Sequence, residues 1–348
     1  MVSFFYFFII LCYYISSMNR KVIGIDFGTT NTLIKVSTSD QIAFNEPSVL
    51  IREKDSHKVV EIGYLAYKLL GKVPENLEAV FPIKNGVVAD KVAAASYLKQ
   101  ALINISLNKK LRHYDVIFSI PSSITPVEKE AILEVAYLLK AKNVYLADTT
   151  KASAIGSDMD INSTRGSMVV DIGGSSTNIS CLAIGKIVVN KGSNIAGNTA
   201  DESITRYIRS KYHLMISNKT SEYIKMKIGT LLEDSDNSLL EINGKDIITG
   251  LPHSVIVSTQ EIQQVLVKVY SQIIDLIVDS LEIAPPEISS DIIHSGITLS
   301  GGGCLLNGVR EFFQSKLSLP VHISPYPLEA TINGLVKGSD LFISENKK

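Results

Sequence analysis

The chain has 348 residues, 45% hydrophobic and 20% charged, which suits a globular protein with a large core and gives length for two domains. A net charge of −1 offers no general attraction to nucleic acid, and no nucleic-acid partner is expected. The three cysteines, Cys12, Cys181 and Cys304, are odd in number and far apart, which argues against a disulfide framework or a zinc site and fits a reducing compartment.

Residues 1–17, MVSFFYFFIILCYYISS, hold seven aromatic residues and no charge. Their apolar run from Phe4 to Ile15 is shorter than the roughly 20 residues of a membrane helix. It also lacks the basic start of a secretory signal. Three readings stand open: an upstream start preceding a true start at Met18, a membrane-associating tail, and a buried first strand.

The folded body begins at Lys21. KVIGIDFG and TLIKVS read as two strands about a tight turn. Further strands are expected at Val116–Ile120, Met168–Ile172, Ile179–Ile184 and Lys186–Asn190, the last two flanking a hairpin turn at Gly185-Lys186. Thr125-Pro126-Val127-Glu128 supplies an N-cap, a proline at the first helical position and a capping-box glutamate. Val127, Ala131, Val135 and Leu138 then fall on one face. Ser258 and Glu261 form a second capping box. The helix after it runs to about Glu282 with Ile262, Val265, Leu266, Val269, Ile273, Leu276 and Ile277 as its apolar stripe, before Pro285-Pro286 forbids continuation. Strands and helices mix throughout, so the fold class is α/β.

One pattern repeats. Ile25-Asp26-Phe27-Gly28-Thr29-Thr30-Asn31 parallels Val170-Asp171-Ile172-Gly173-Gly174-Ser175-Ser176, at an offset of 145 residues (from 26 to 171). Two such strand–turn–strand devices suggest two related half-molecules facing a shared cleft. Glycine lets the backbone approach a ligand closely. Successive N–H groups, with Thr or Ser hydroxyls, can then hold phosphate oxygens. Asp26 and Asp171, at the strand ends, suit Mg²⁺ held through water, since that ion keeps much of its hydration. The bland alternative is two ordinary turn aspartates. A third cluster, Gly301-Gly302-Gly303, follows the apolar strand 296–300 and precedes a helix with Val309, Phe312, Phe313 and Leu317. It is either an adenine or ribose contact or simply a strand-to-helix turn. Neither a Walker A loop nor a dinucleotide fingerprint is present.

IDFGTTNT, FNEPSV, NGVVAD, SIPSSIT, GSMVVDIGGSST, ITGLP, APPEISSDII and ITLSGGG together resemble the MreB family of the actin/heat-shock ATPase superfamily, in that order, over roughly Lys21 to Gly338. The resemblance implies an actin-like ATPase fold: two related α/β domains with ATP and Mg²⁺ in the cleft. They would span 18–156 plus 326–348 and 157–325, behind the extension 1–17. It also implies homopolymer filaments, possible partnership with other MreB copies, a cytoplasmic location at the inner face of the cell membrane, and a role in cell shape. Carried over by residue, Gly28, Thr29, Thr30 and Asn31 match the first phosphate loop, and Gly173, Gly174, Ser175, Ser176 and Thr177 the second. Gly197, Asn198 and Asp201 match the segment lining the nucleoside, although the usual Gly-Gly-Asp is Ala196-Gly197-Asn198. Glu222 and Lys225 match a helix flanking adenine and ribose, a solvated helix face being the alternative. Gly301 to Gly303 match the adenine loop. Leu107 to Tyr114 mixes apolar and basic residues where the family touches lipid, and an ordinary loop is the alternative.

The family's Glu-Glu-Pro-Met-Ala-Ala-Ala-Ile-Gly is here Asp148-Thr149-Thr150-Lys151-Ala152-Ser153-Ala154-Ile155-Gly156. Thr149 therefore stands where the family's water-activating glutamate would be. Its hydroxyl can hold a water but accepts a proton poorly, and general-base help is worth about 10²–10⁴-fold. Asp148 is the neighbouring carboxylate, and adjacent side chains do not share a direction. Helix capping is the competing role for both. Ser176 keeps the hydroxyl expected at the water or γ-phosphate. Slow ATP hydrolysis is expected. A heat-shock-type chaperone ATPase would need a further domain after the nucleotide domain, and only about ten residues follow Gly338. A small-molecule kinase would need a base for which no residue can be nominated.

Overall fold

A computed structural model describes residues 20–107, 111–233 and 236–346. The expectations for residues 1–17 and for Asn108, Lys109 and Lys110 lie outside the described residues. The chain divides into two compact units. The first comprises the segments up to Ile120, Ile124–Asp148 and Thr331 onward; the second comprises Pro121–Ser123 and Thr149–Ala330. The helix Thr149–Gly156 thus belongs with the second unit, because its residues 150–155 are buried against the strands Ser167–Ile172 and Thr177–Ala183.

Each unit is built on a five-stranded sheet, and the two sheets have one topology. The first runs Asn143–Asp148, Asp115–Ile120, Val22–Phe27, Asn31–Val36, Ile42–Pro47. The second runs Val321–Ile323, Ile297–Ser300, Ser167–Ile172, Thr177–Ala183, Lys186–Ser193. In both, the central strand pairs parallel on one side and antiparallel, through the glycine turn, on the other. The repeat extends to register. Ile23 pairs with Val36 and Asp26 with Leu33; 145 residues on, Met168 pairs with Cys181 and Asp171 with Asn178.

The central strands are almost wholly buried, as expected of apolar runs covered on both faces. In the first unit Gly24 lets the helix Ala330–Lys337 cross its strand closely: a Cβ there would stand 3.2 Å from Leu335 and Val336 side-chain carbons. The second unit carries the larger core, centred on the helix Thr259–Ile283. That helix has the Ser258/Glu261 capping box read from the sequence and ends before Pro285. Its fully or partly buried residues include the whole expected stripe, with Tyr270 and Ile274 added.

Two local expectations are corrected. The helix Pro126–Leu138 has its Thr125–Glu128 capping box, but it buries Ala131, Ile132, Val135 and Ala136 while Val127 and Leu138 are exposed. Rows i, i+4 and i, i+3 through Ala131 and Val135 can continue on either flank, and packing here selects the flank with Ile132. The hairpin turn before Lys186 is made by Ile184 and Gly185, with φ of 51° and 70°, so Lys186 already belongs to the strand. Two successive left-handed residues define the tight turn that matches strand twist.

Candidate functional site

In the first unit the chain leaves Val22–Phe27, turns over residues 28–30 and returns as Asn31–Val36. The Gly28 N–H donates to the Asn31 carbonyl at 3.1 Å, and a Cβ on Gly28 would sit 2.8 Å from that oxygen, so the turn requires glycine. Ser48, from the FNEPSV segment, braces it: its hydroxyl donates to the Gly28 carbonyl at 2.6 Å and its N–H to the Thr30 carbonyl at 2.8 Å. Thr29 Oγ1 accepts from the Gly86 N–H at 2.9 Å, and Thr30 is exposed. Asp26 lies two residues before the turn. Burial pushes its carboxyl above the usual range, against a hydrogen bond from Ser119 Oγ at 2.6 Å.

The second unit repeats the device. The Gly173 N–H donates to the Ser176 carbonyl at 2.9 Å. Ser176 is partly exposed, whereas Thr177 is fully buried and gives its hydroxyl to the Ile195 carbonyl at 2.6 Å. Thr177 therefore props the turn from beneath. Asp171, two residues ahead of Gly173, accepts from Ser300 Oγ at 2.9 Å.

Gly197, Asn198, Asp201, Lys225 and Gly301 converge on that turn. The helix Gly197–Tyr212 begins against it: the Gly197 and Asn198 N–H groups donate to the Gly173 and Gly174 carbonyls at 3.1 and 2.6 Å. Asp201, one turn into that helix, pairs with Lys225 of the helix Asn218–Ile228 at 2.9 Å. Lys225 Nζ also donates to the Gly197 carbonyl at 3.1 Å. Burial pushes the Asp201 carboxyl up to about 6 against the pull of Lys225, and Glu222 adds to the rise. Gly301 has φ of 80°, and a Cβ on it would lie 2.4 Å from the Ile172 carbonyl. The third glycine cluster is thus seated on the residue just before Gly173. The Cys304 thiol donates to the Gly301 carbonyl at 3.0 Å, and burial pushes that thiol up to about 12.

Asp148 ends the strand Asn143–Asp148 and Thr149 opens the helix that follows. Both stand at a helix start, where their capping ability is of use.

Four serines of these networks, Ser153 among them through its hydrogen bond to Ser300 Oγ at 2.6 Å, escape the sequence reading. Ser48 lies inside a family segment that assigned it no role. Ser119 and Ser300 stand 181 residues apart (from 119 to 300), so the 145-residue repeat does not reveal them, and Ser153 lies inside the divergent helix.

Two units with one sheet topology, each with a glycine turn behind a strand-end aspartate, define an actin-like fold. MreB5 of Spiroplasma citri bound to AMPPNP shares it with a TM-score of 0.89 at 33% identity, over 94% of this chain and 98% of that one. The ADP-bound structure of MreB5 gives 0.89 as well, over 95% and 99%. The MreB/Mbl protein family pattern matches residues 20–346. The cell shape-determining protein Mbl of Bacillus subtilis is 36% identical over 317 residues, 91% of this chain and 95% of that protein. The cell shape-determining protein MreB of Escherichia coli K12 is 32% identical over 336 residues, 93% of this chain and 96% of that protein. The chain belongs to the MreB/Mbl family.

Proposed function

We propose that this chain is an ATP-binding, actin-like cytoskeletal protein. It assembles with copies of itself into filaments, hydrolyses ATP slowly and acts in cell shape. The observation that carries the nucleotide reading is the matched pair of turns, equal in register and in their Gly28–Asn31 and Gly173–Ser176 hydrogen bonds. The MreB5 relative bound to AMPPNP and to ADP supports it, and the names of the curated relatives support the cellular role.

In this reading the ATP phosphates are received by Gly28, Thr29, Thr30 and Asn31 and by Gly173, Gly174, Ser175 and Ser176. The nucleoside is received by Gly197, Asn198, Asp201, Glu222, Lys225 and Gly301 to Gly303. Asp26 and Asp171 fit Mg²⁺ held through water. Among the described residues no three His, Cys, Asp or Glu side chains gather as a metal cage, and a hydrated Mg²⁺ carried with phosphates needs only one or two carboxylates. When bound, the ion supplies charge neutralisation at the phosphates. Thr149 and Ser176 hold the attacking water by their hydroxyls, with no carboxylate at position 149 to polarise it.

Gly174→Val tests the site directly. The valine should abolish ATP binding while thermal unfolding still reports a folded protein; unchanged affinity contradicts the assignment. The membrane part rests on the family and on Leu107 to Tyr114, since among the described residues no helix is long and apolar enough to cross a membrane. A chain starting at Met18 should sediment with anionic liposomes, at about 1 kcal/mol per basic residue near the surface. If it stays in solution, the segment Leu107 to Tyr114 has no lipid role.

A further inference from the structure

Each strand-end aspartate is met by a serine hydroxyl from the neighbouring parallel strand. Ser119 Oγ donates to Asp26 Oδ1 at 2.6 Å, and Ser300 Oγ donates to Asp171 Oδ1 at 2.9 Å. The positions correspond. Asp171 pairs with Ser300 across the ladder, and Ser119 stands one residue past the last rung, Ile25 with Phe118, in step with Asp26. The turns are 145 residues apart but the serines 181 (from 119 to 300). Connections of different length therefore bring the same side chain to the same oxygen of the equivalent carboxylate.

Ser119 is 9% exposed and Ser300 fully buried. In the second unit the network has one more member: Ser153 Oγ donates to Ser300 Oγ at 2.6 Å. A hydroxyl carries a single proton. Ser300 accepts from Ser153 and spends its own proton on Asp171, so the chain Ser153 to Ser300 to Asp171 has a fixed direction. Ser153 is fully buried on the helix Thr149–Gly156. The terminal torsion of an aspartate is broad, and a charge-assisted hydrogen bond to one oxygen narrows it.

We propose that Ser119 and Ser300 are positioning residues for the Mg²⁺ that accompanies the nucleotide. Each fixes one oxygen of its aspartate, so that the carboxylate meets the hydrated ion in one orientation, and Ser153 holds Ser300 in its donating rotamer. This rests on the assignment of ATP and Mg²⁺ above, and it separates metal positioning, done by the serines, from phosphate binding, done by the turns.

The test is equilibrium binding of ATP to the full chain, by calorimetry, across a Mg²⁺ titration and in EDTA. Ser119→Ala and Ser300→Ala should each raise the Mg²⁺ concentration for half-maximal tightening by about tenfold or more, the usual effect of losing such a partner. Affinity in EDTA should stay near that of the natural chain. Ser119→Thr, which keeps the hydroxyl, should restore the response, and Ser153→Ala should shift it less than Ser300→Ala. If an alanine variant does not fold, Ser119→Cys and Ser300→Cys, similar in volume but weak donors, carry the same comparison. An unchanged Mg²⁺ response, or equal losses with Mg²⁺ and with EDTA, overturns the serines' role and leaves them as structural satisfiers of buried carboxylates. A natural chain that binds no ATP under any condition overturns instead the nucleotide assignment on which the inference stands.

Discussion

In the proposed reading Thr149 stands where the family's water-activating glutamate is expected. Phosphoryl transfer depends chiefly on positioning and on charge stabilisation, and the turns with Asp26 and Asp171 are candidates for both. A threonine at the helix start can hold a water but does not accept its proton at neutral pH. Turnover should therefore be about ten- to a thousandfold below that of a glutamate-bearing relative, with nucleotide affinity little changed. Phosphate release by the natural protein beside Thr149→Glu and Asp148→Ala measures this. The glutamate variant should be faster and the alanine variant close to the natural rate. A brisk natural activity removed by Asp148→Ala would make the aspartate the water-positioning group. Thr177 offers the complementary lesson. Its type and place in the second loop matched a phosphate contact, yet its buried hydroxyl is committed to Ile195. Which side of a turn a hydroxyl faces depends on strand alternation and on what packs beneath, and the motif alone does not carry that.

The helices Gly197–Tyr212 and Asn218–Ile228 are tied by the Asp201–Lys225 pair, and the tie has a pH signature. With its carboxyl raised to about 6, Asp201 binds a proton more readily in the native state than in the unfolded chain. The stability this contributes is fully present only below the ordinary value of 3.8 and is lost as pH rises through about 6. Denaturant unfolding of the natural chain and Asp201→Asn should show the natural chain losing ground by on the order of 2 kcal/mol across that window. Parallel pH profiles would mean that Asp201 is not held at a raised value. At this level much was legible in advance. The capping boxes at Thr125 and Ser258 and the paired prolines at 285 and 286 mark helix ends by local chemistry, and the structure keeps them. What was not legible depended on neighbours distant in sequence. The flank buried by the helix Pro126–Leu138 follows from its tertiary packing. The turn at Ile184 places a β-branched residue at positive φ, which is uncommon enough that Gly185-Lys186 read as the better turn.

Across the whole chain the internal repeat proves deeper than its short motif suggested. The Asp-x-Gly strings predicted two related halves, and the structure extends the match to five strands in each unit in a common order, with a common register in the central hairpins. The serines that serve the aspartates belong to the same symmetry but come from strands outside the repeated string, and only the assembled sheets reveal them. With turnover slow, filaments would hold ATP longer and persist longer than those of a glutamate-bearing relative. The central claim, that an ATP-binding actin-like protein polymerises, is tested most directly by electron microscopy and light scattering of the purified chain with Mg²⁺, with and without ATP. Filaments that form with ATP and persist through slow hydrolysis are the expected result. A protein that stays monomeric at tens of micromolar with ATP and Mg²⁺ would contradict the account.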